Sequence, residues 1–171
     1  MRHLALVATV FPVLALAVAS WANLPAKLVW NGSESAPVGF YWIDDQVPER
    51  GDIVLVRVPD GMREIITKRG YLPSDVPLIK RIVADHGDTV CRRYREIIID
   101  GITVALARTE DGQGRKMPVW SGCHVLGRDQ VFLLQRHPDS LDSRYFGPVN
   151  RRLIIGQATR WRLPWQSDGE Y

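Results

Sequence analysis

Pro77-Leu78-Ile79-Lys80-Arg81-Ile82-Val83 is the stretch on which the reading of the chain turns. It is apolar and rich in β-branched residues, which suits a pleated, half-buried strand, and it carries a lysine near its middle. A strand is expected from Leu78 to Ala84. Working outward, similar runs recur at short intervals. Gly39 to Ile43 is aromatic and bounded by Gly39 and Asp44-Asp45, and Asp52 to Val58 is entered through Arg50-Gly51 and stopped by Pro59. Asp88 to Arg92 and Glu96 to Asp100 flank a tight turn, and Asp100-Gly101 is a hairpin signal leading into Ile102 to Ala107. His124 to Leu126 and Val131 to Leu134 read as short strands, and Arg152 to Leu163 as the last. Gly61 to Arg69 reads as a short helix ending at Gly70, and the polar, glycine-containing Glu110 to Lys116 as a mobile loop. Many short strands with turn signals predict a mainly β domain of antiparallel sheets with one short helix.

A lysine inside such a strand either snorkels to solvent or is buried. Burial disfavours the ammonium and lowers its pKa, which is what lysine needs to act as a general base. Ser33-Glu34-Ser35-Ala36-Pro37-Val38-Gly39 offers a partner, a serine on a tight turn bounded by proline and glycine. A serine hydroxyl is a weak nucleophile until an adjacent base takes its proton. Taken alone, Ser35 reads equally well as a turn serine before proline. Ser35 as nucleophile and Lys80 as base is therefore an expectation that needs support from the rest of the chain.

The densest polar stretch runs from His137 to Pro148 (HPDSLDSRYFGP). Asp142 and Arg144, two apart on an extended segment, would point the same way and pair. A serine hydroxyl here can hold a neutral lysine amine by one hydrogen bond. The plainer reading is an Asx/Ser-rich turn before Gly147-Pro148. A Ser-His-Asp triad through His137 and Asp139 is disfavoured, because a neighbour two residues on, across Pro138, is poorly placed to orient the imidazole. His3, His86 and His124 read as surface or structural residues.

The chain has 171 residues, 46% of them hydrophobic and 24% charged, with a formal net charge of +3 and a pI near 9.1. That bounds it to one globular domain plus an anchor. The basic excess suits contact with anionic lipid headgroups, and without interleaved aromatic and basic residues it does not predict nucleic-acid binding. From Leu4 to Ala22 there is no charge, and only Thr9, Pro12 and Ser20 interrupt the apolar run. About 19 residues at about 1.5 Å each span roughly 28 Å, close to the hydrocarbon core of a bilayer. Trp21 suits an interfacial position, and Arg2 favours a cytoplasmic N-terminus. Ala17-Val18-Ala19 looks like a signal-peptide cleavage site, but the run is long for one. Residues 1–23 are thus expected to be a retained inner-membrane anchor, and 24–171 a periplasmic domain. The two cysteines, Cys91 and Cys123, show no zinc-like spacing. Outside the cytoplasm they read as a disulfide closing a loop of about 33 residues and stabilising by roughly 3–4 kcal/mol; two buried thiols are the other reading. No metal or cofactor is implied.

Read together, the order is an anchor, then Ser33-x-Ser35-x-Pro37, then Lys80-Arg81 followed by Gly87-Asp88, then Ser140-x-Asp142-Ser143-Arg144-Tyr145-x-Gly147. This order resembles the type I signal peptidases, serine/lysine peptidases of the bacterial inner membrane. It is most similar to their TraF-like branch, which matures pilin precursors for conjugative transfer. Asn31 before the serine motif, Pro37-x-Gly39-x-Tyr41-Trp42 and SLDSRYFGPV (140–149) carry the narrower resemblance.

The resemblance implies an all-β catalytic domain with an N-terminal transmembrane helix. It makes Ser35 the nucleophile, Lys80 the general base, Ser33 with the Ser35 N–H the oxyanion hole, Ser140 the serine that orients the lysine, and Asp142 and Arg144 a supporting pair. Ser143 receives no role. Ala36 stands where the family usually has methionine, and with Leu78 and Ile79 it is expected to border the substrate pocket. Ile79, Ile82 and Val83 are expected to supply the apolar surroundings of Lys80. A second departure is Leu134-Gln135-Arg136-His137 in place of the Gly-Asp-Asn-Arg run of housekeeping leader peptidases. The substrate would be a precursor polypeptide, pilin-like or secreted, extended along a strand edge with small residues at P1 and P3. The alternatives are a housekeeping leader peptidase of broad specificity and a non-enzymatic β-domain scaffold of a secretion or pilus assembly.

Overall fold

The structure, a computed structural model, describes residues 27–73 and 75–161. The apolar run from Leu4 to Ala22, and with it the expected anchor, lies outside the described residues. Among those residues no helix is long and apolar enough to cross a membrane.

Two antiparallel sheets form the domain. One has seven strands: β1 (Leu28–Asn31), β2 (Gly39–Asp44), β3 (Ile53–Val56), β4 (Leu78–Ala84), β9 (Gln130–Leu134), β10 (Val149–Asn150) and β11 (Ile154–Arg160), in the spatial order β1-β2-β11-β3-β4-β9-β10. The other has four: β5 (Thr89–Arg93), β6 (Glu96–Ile99), β7 (Ile102–Leu106) and β8 (Gly122–Val125), in the order β7-β6-β5-β8. Strand β4, the stretch around Lys80, sits inside the larger sheet between β3 and β9. The β6–β7 turn has Asp100 at φ 49° and Gly101 at φ 84°, the doubly positive backbone that an Asp-Gly hairpin supplies.

Each sheet face buries its own cluster. Val54, Val56, Leu78, Ile82 and Leu133 pack beneath helix α1 (Asp60–Lys68), which contributes Met62 and Ile66. On the outside of α1, Lys68 pairs with Glu64 at 2.5 Å, and Gly70, at φ 66°, follows the helix end. Ala36, Tyr41, Ile43, Leu55, Ile79 and Ala158 form a second cluster. A third, with Val90, Ile97, Phe132 and Leu134, joins the two sheets. At the register shift in β11, a Cβ on Gly156 would fall on the Asp44 carbonyl oxygen and 2.8 Å from Ile43 Cγ2, so only glycine lets β2 pass.

The elements differ from expectation where Asx side chains take over the backbone. Arg144 is not on an extended segment; Asp142 is, at φ −153° and ψ −161°. Asp142 caps a second short helix, α2 (Ser143–Phe146), by accepting the Arg144 N–H at 3.1 Å. Asn150 likewise accepts the Arg152 N–H at 3.0 Å and opens a 3₁₀ turn over Arg151–Leu153, where a strand was expected. Strands β1 and β10 are additional. The stretch Glu110 to Lys116, expected to be mobile, is a closed turn: Asp111 accepts the Gln113 and Arg115 N–H groups at 2.9 Å each and the Tyr71 hydroxyl. Cys91 and Cys123 face each other across β5 and β8 and are joined, with S–S 2.03 Å.

Candidate active site

The turn that carries Ser35 is built by its neighbours. Asn31, at the end of β1, is 8% exposed. Its Nδ2 donates to the carbonyls of Ser33 (3.0 Å), Ala36 (3.0 Å) and Pro37 (3.1 Å). Its Oδ1 accepts the Ser33 N–H at 3.1 Å and the Ser33 hydroxyl at 2.8 Å. The Tyr41 hydroxyl donates to the Pro37 carbonyl at 2.8 Å, and Arg160 Nη2 to the Val38 carbonyl at 3.1 Å. Burial raises the Tyr41 pKa, opposed by Arg160 and Arg81, so this hydroxyl stays a donor. The Pro37-x-Gly39-x-Tyr41 pattern is thus a scaffold for the serine turn.

Lys80 comes from the other direction. In the β3–β4 ladder it lies opposite Val54, and the strand pleat places it on one face with Leu78 and Ile82. It is 3% exposed. Its Nζ lies 2.9 Å from Ser140 Oγ and 3.3 Å from Ser35 Oγ. Burial lowers its pKa to about 8; Asp142 opposes the shift and Arg144 adds to it. Of the three residues expected to surround it, Ile82 shares its strand face, whereas Ile79 belongs to the cluster with Tyr41 and Val83 packs toward the smaller sheet. A one-residue step along a strand changes face, so the apolar setting comes from Leu78 and Val54 instead.

Behind the lysine is a buried polar clamp. Ser140, Asp142 and Ser143 are fully buried, and Arg144 is 3% exposed. Asp142 accepts Arg144 Nη1 at 3.0 Å, the Gln135 N–H at 3.1 Å and the Ser140 hydroxyl. Burial raises its pKa, while Arg144 and then Lys80 pull it down. Every group that approaches it is a donor, so the carboxylate is the form the geometry accommodates. Arg144 also donates to the carbonyls of Gln135 (2.6 Å) and His137 (3.1 Å). Ser143, without a role in the sequence reading, accepts the Leu133 N–H at 3.0 Å and ties α2 to β9.

Two contributors escape sequence reading. Arg92, in β5, is 3% exposed and donates to the carbonyls of Arg144 (2.6 Å) and Pro118 (3.2 Å), so the smaller sheet holds α2. In the sequence it is one of several arginines, and nothing marks it as buried. Trp120 Nε1 reaches the Ser143 and Arg144 carbonyls at 3.0 and 3.1 Å.

A cleft of about 630 Å³ opens over Ser33, Ser35 and Lys80. Asn31 and Val29 of β1 form one side, Val76 to Ile79 another, and Arg108 to Gly112 with Met117 a third. Leu78 and Ile79 line it. Ala36 does not: it is 3% exposed and packs under the turn with Tyr41 and Leu55, because Asn31 draws its carbonyl inward. His137 and Asp139 lie on the rim, but the Asp139 carboxylate pairs with Arg108, and His137 Nδ1 accepts the Asp139 N–H at 3.2 Å. Among the described residues no carboxylate is hydrogen-bonded to the imidazole, so they do not form the triad geometry. What the site offers is a serine hydroxyl beside a buried amine of lowered pKa in an open cleft.

Comparison with known proteins gives the class. The family described as signal peptidase, peptidase S26, matches residues 1–163, and the chain belongs to it. Within that family its relatives are TraF proteins. It is 35% identical over 153 residues to the plasmid transfer protein TraF of Escherichia coli, covering 82% of this chain and 85% of that protein. It is 38% identical over 141 residues to the probable conjugal transfer protein TraF of Sinorhizobium fredii, covering 75% and 73%. A signal peptidase I crystal structure from Enterococcus faecalis superposes with a TM-score of 0.40 at 19% identity, over 68% of this chain and all of that one. The chain is thus a TraF-like member of the type I signal peptidases, a peptidase family that acts on polypeptides.

Proposed function

We propose that the protein is a membrane-anchored serine endopeptidase that removes leader segments from exported precursors, with Ser35 as nucleophile and Lys80 as general base. The precursor would be a pilin subunit for conjugative transfer, the reading that the TraF relatives favour over a housekeeping leader peptidase. The observation that carries the mechanism is the placement of buried Lys80 Nζ between Ser35 Oγ and Ser140 Oγ.

Ser140 Oγ, 2.9 Å from Lys80 Nζ, accepts one amine hydrogen, which aims the nitrogen. Neutral Lys80 takes the Ser35 proton as Oγ attacks the scissile carbonyl. The oxyanion is held by the Ser35 N–H and by the Ser33 hydroxyl once it has turned toward the cleft. When the C–N bond breaks, Lys80 returns the proton to the leaving amine. It then deprotonates a water that cleaves the acyl-enzyme, and Ser35 recovers its hydrogen.

The substrate would lie extended along the β1 edge with small residues at P1 and P3. Attachment to the membrane by residues 1–23, with 24–171 as the periplasmic domain, agrees with two observations. Trp30, Phe40, Trp42 and Trp161 are all more than 45% exposed, as aromatics that meet a membrane interface are. The Cys91–Cys123 disulfide suits an oxidising compartment.

The test is cleavage of an internally quenched peptide with Ala-x-Ala before the scissile bond, and of a pilin precursor, by the full chain in detergent. Cleavage that disappears in folded Ser35→Ala and Lys80→Ala variants is expected. Unchanged cleavage by either variant would contradict the assignment, and cleavage of the peptide but not the pilin would reject the pilin substrate alone.

A further inference from the structure

We infer that Asn31 is a positioning residue for the reaction: it shapes the nucleophile turn and, in the resting enzyme, holds the hydrogen of the Ser33 hydroxyl away from the cleft. The inference rests on the Ser35/Lys80 reading and adds a residue to it.

The orientation of the Asn31 carboxamide follows from its surroundings. Three carbonyl oxygens, of Ser33, Ala36 and Pro37, lie within 3.1 Å of Nδ2, so that atom is the donor. The other end receives the Ser33 N–H at 3.1 Å, so Oδ1 is the acceptor. Ser33 Oγ lies 2.8 Å from the same Oδ1. An amide oxygen cannot donate, so the hydroxyl of Ser33 must, and it has only one hydrogen. Between the two serines, 3.1 Å apart, Ser35 therefore donates and Ser33 accepts.

Two consequences follow for the chemistry. The Ser35 proton has two acceptors, Ser33 Oγ at 3.1 Å and, when its amine is neutral, Lys80 Nζ at 3.3 Å. While Lys80 carries its proton, Ser33 is the only one of the two that can accept. For Ser33 to serve the oxyanion, its hydrogen must leave Asn31 Oδ1 and turn into the cleft. Asn31 thus governs the direction of the one side-chain hydroxyl next to the nucleophile. At the same time its Nδ2 grips the turn on both sides of Ser35, at Ser33 and at Ala36 and Pro37.

The experiment compares Asn31→Ala, Asn31→Asp, Ser33→Ala and the double variant Asn31→Ala/Ser33→Ala in the full chain, with the Ala-x-Ala quenched peptide as probe. Asn31→Ala is expected to lower kcat by about 30-fold or more with KM within about 3-fold, the pattern of an interaction needed after binding. Ser33→Ala is expected to lose about 10²–10³-fold in kcat, as removal of an oxyanion donor does. Because Asn31 places the Ser33 backbone through both its N–H and its carbonyl, and a misplaced Ser33 forfeits more than its freed hydroxyl regains, the double variant should lose at least about 5-fold less than the product of the two single losses.

Fully multiplicative losses, a rise in KM alone, or wild-type kcat in folded Asn31→Ala would each overturn the inference. If Asn31→Ala fails to fold, Asn31→Asp replaces it: it keeps an acceptor for Ser33, loses the three donor contacts and should retain the kcat-only loss, and wild-type kcat in this variant overturns the inference equally. Ser35→Ala and Lys80→Ala are run alongside. Activity in those two would refute the serine/lysine reading itself, whereas dead controls beside a wild-type-like Asn31→Ala would refute only the role of Asn31.

Discussion

The turn around Ser35 and the setting of Lys80 meet at 3.3 Å but are made in different ways. The serine turn is local. Residues 31 to 37 close it, with Tyr41 from the next strand, through side chain-to-backbone hydrogen bonds. The lysine setting is assembled from distant parts of the chain: Val54 in β3, Ser140 and Asp142 some sixty residues later, and Arg92 from the other sheet. A local turn holds a hydroxyl in place cheaply. A lysine pKa near 8 needs burial on all sides, and only tertiary structure supplies that. Changes in the first region should therefore act on the geometry of attack, and changes in the second on the lysine proton.

The largest expected effect falls on the lysine. Lys80→Arg keeps the positive charge and length but cannot release a proton, so cleavage should fall by at least about 10³-fold while circular dichroism stays native. Appreciable cleavage by this variant would break the comparison at its centre. Next is Asp142→Asn, which leaves Arg144 buried without its counter-charge. Loss of about 3–5 kcal/mol of unfolding free energy is expected in urea titration. Asp142 also opposes the lowering of the Lys80 pKa, so any activity left should show a midpoint below that of the wild type.

The disulfide sharpens the contrast from outside both regions. Cys91→Ser should cost about 2–4 kcal/mol of stability by thermal or chemical unfolding. It should leave the pH midpoint of the remaining folded enzyme where it was. The smallest effect belongs to the local turn: Tyr41→Phe leaves the Pro37 carbonyl with one donor fewer and should cost about 1–2 kcal/mol. Its kcat should fall without movement of the pH midpoint. A shifted midpoint in Tyr41→Phe would show that the two regions are not separable.

The same division explains how much was legible in the sequence. Strand β4, the Asp100-Gly101 hairpin and helix α1 follow from period, turn residues and β-branched content, all of them local signals. That Ser35 and Lys80 come together is implied by the resemblance and by the order and spacing of the motifs, not by any local signal. The Asp-x-Arg alternation predicts an extended segment through Arg144; Asp142 is extended, but it caps α2, and alternation does not report where that helix begins. Ala36 was expected at the cleft, yet the inward pull of Asn31 on its carbonyl sends it to the core. Arg92 left no signal, because a buried arginine that binds only carbonyl oxygens looks in sequence like any other arginine.

The central claim is that Lys80 works as a neutral amine, and the pH dependence of kcat/KM on the quenched peptide tests it most directly. The lysine is inactive when protonated, so activity must rise with pH as the proton leaves. The wild type should show a rising limb with a midpoint of about 8, where burial places the Lys80 pKa. A profile flat from about pH 6 to 10, or one rising only near the ordinary lysine value of about 10.4, would contradict it.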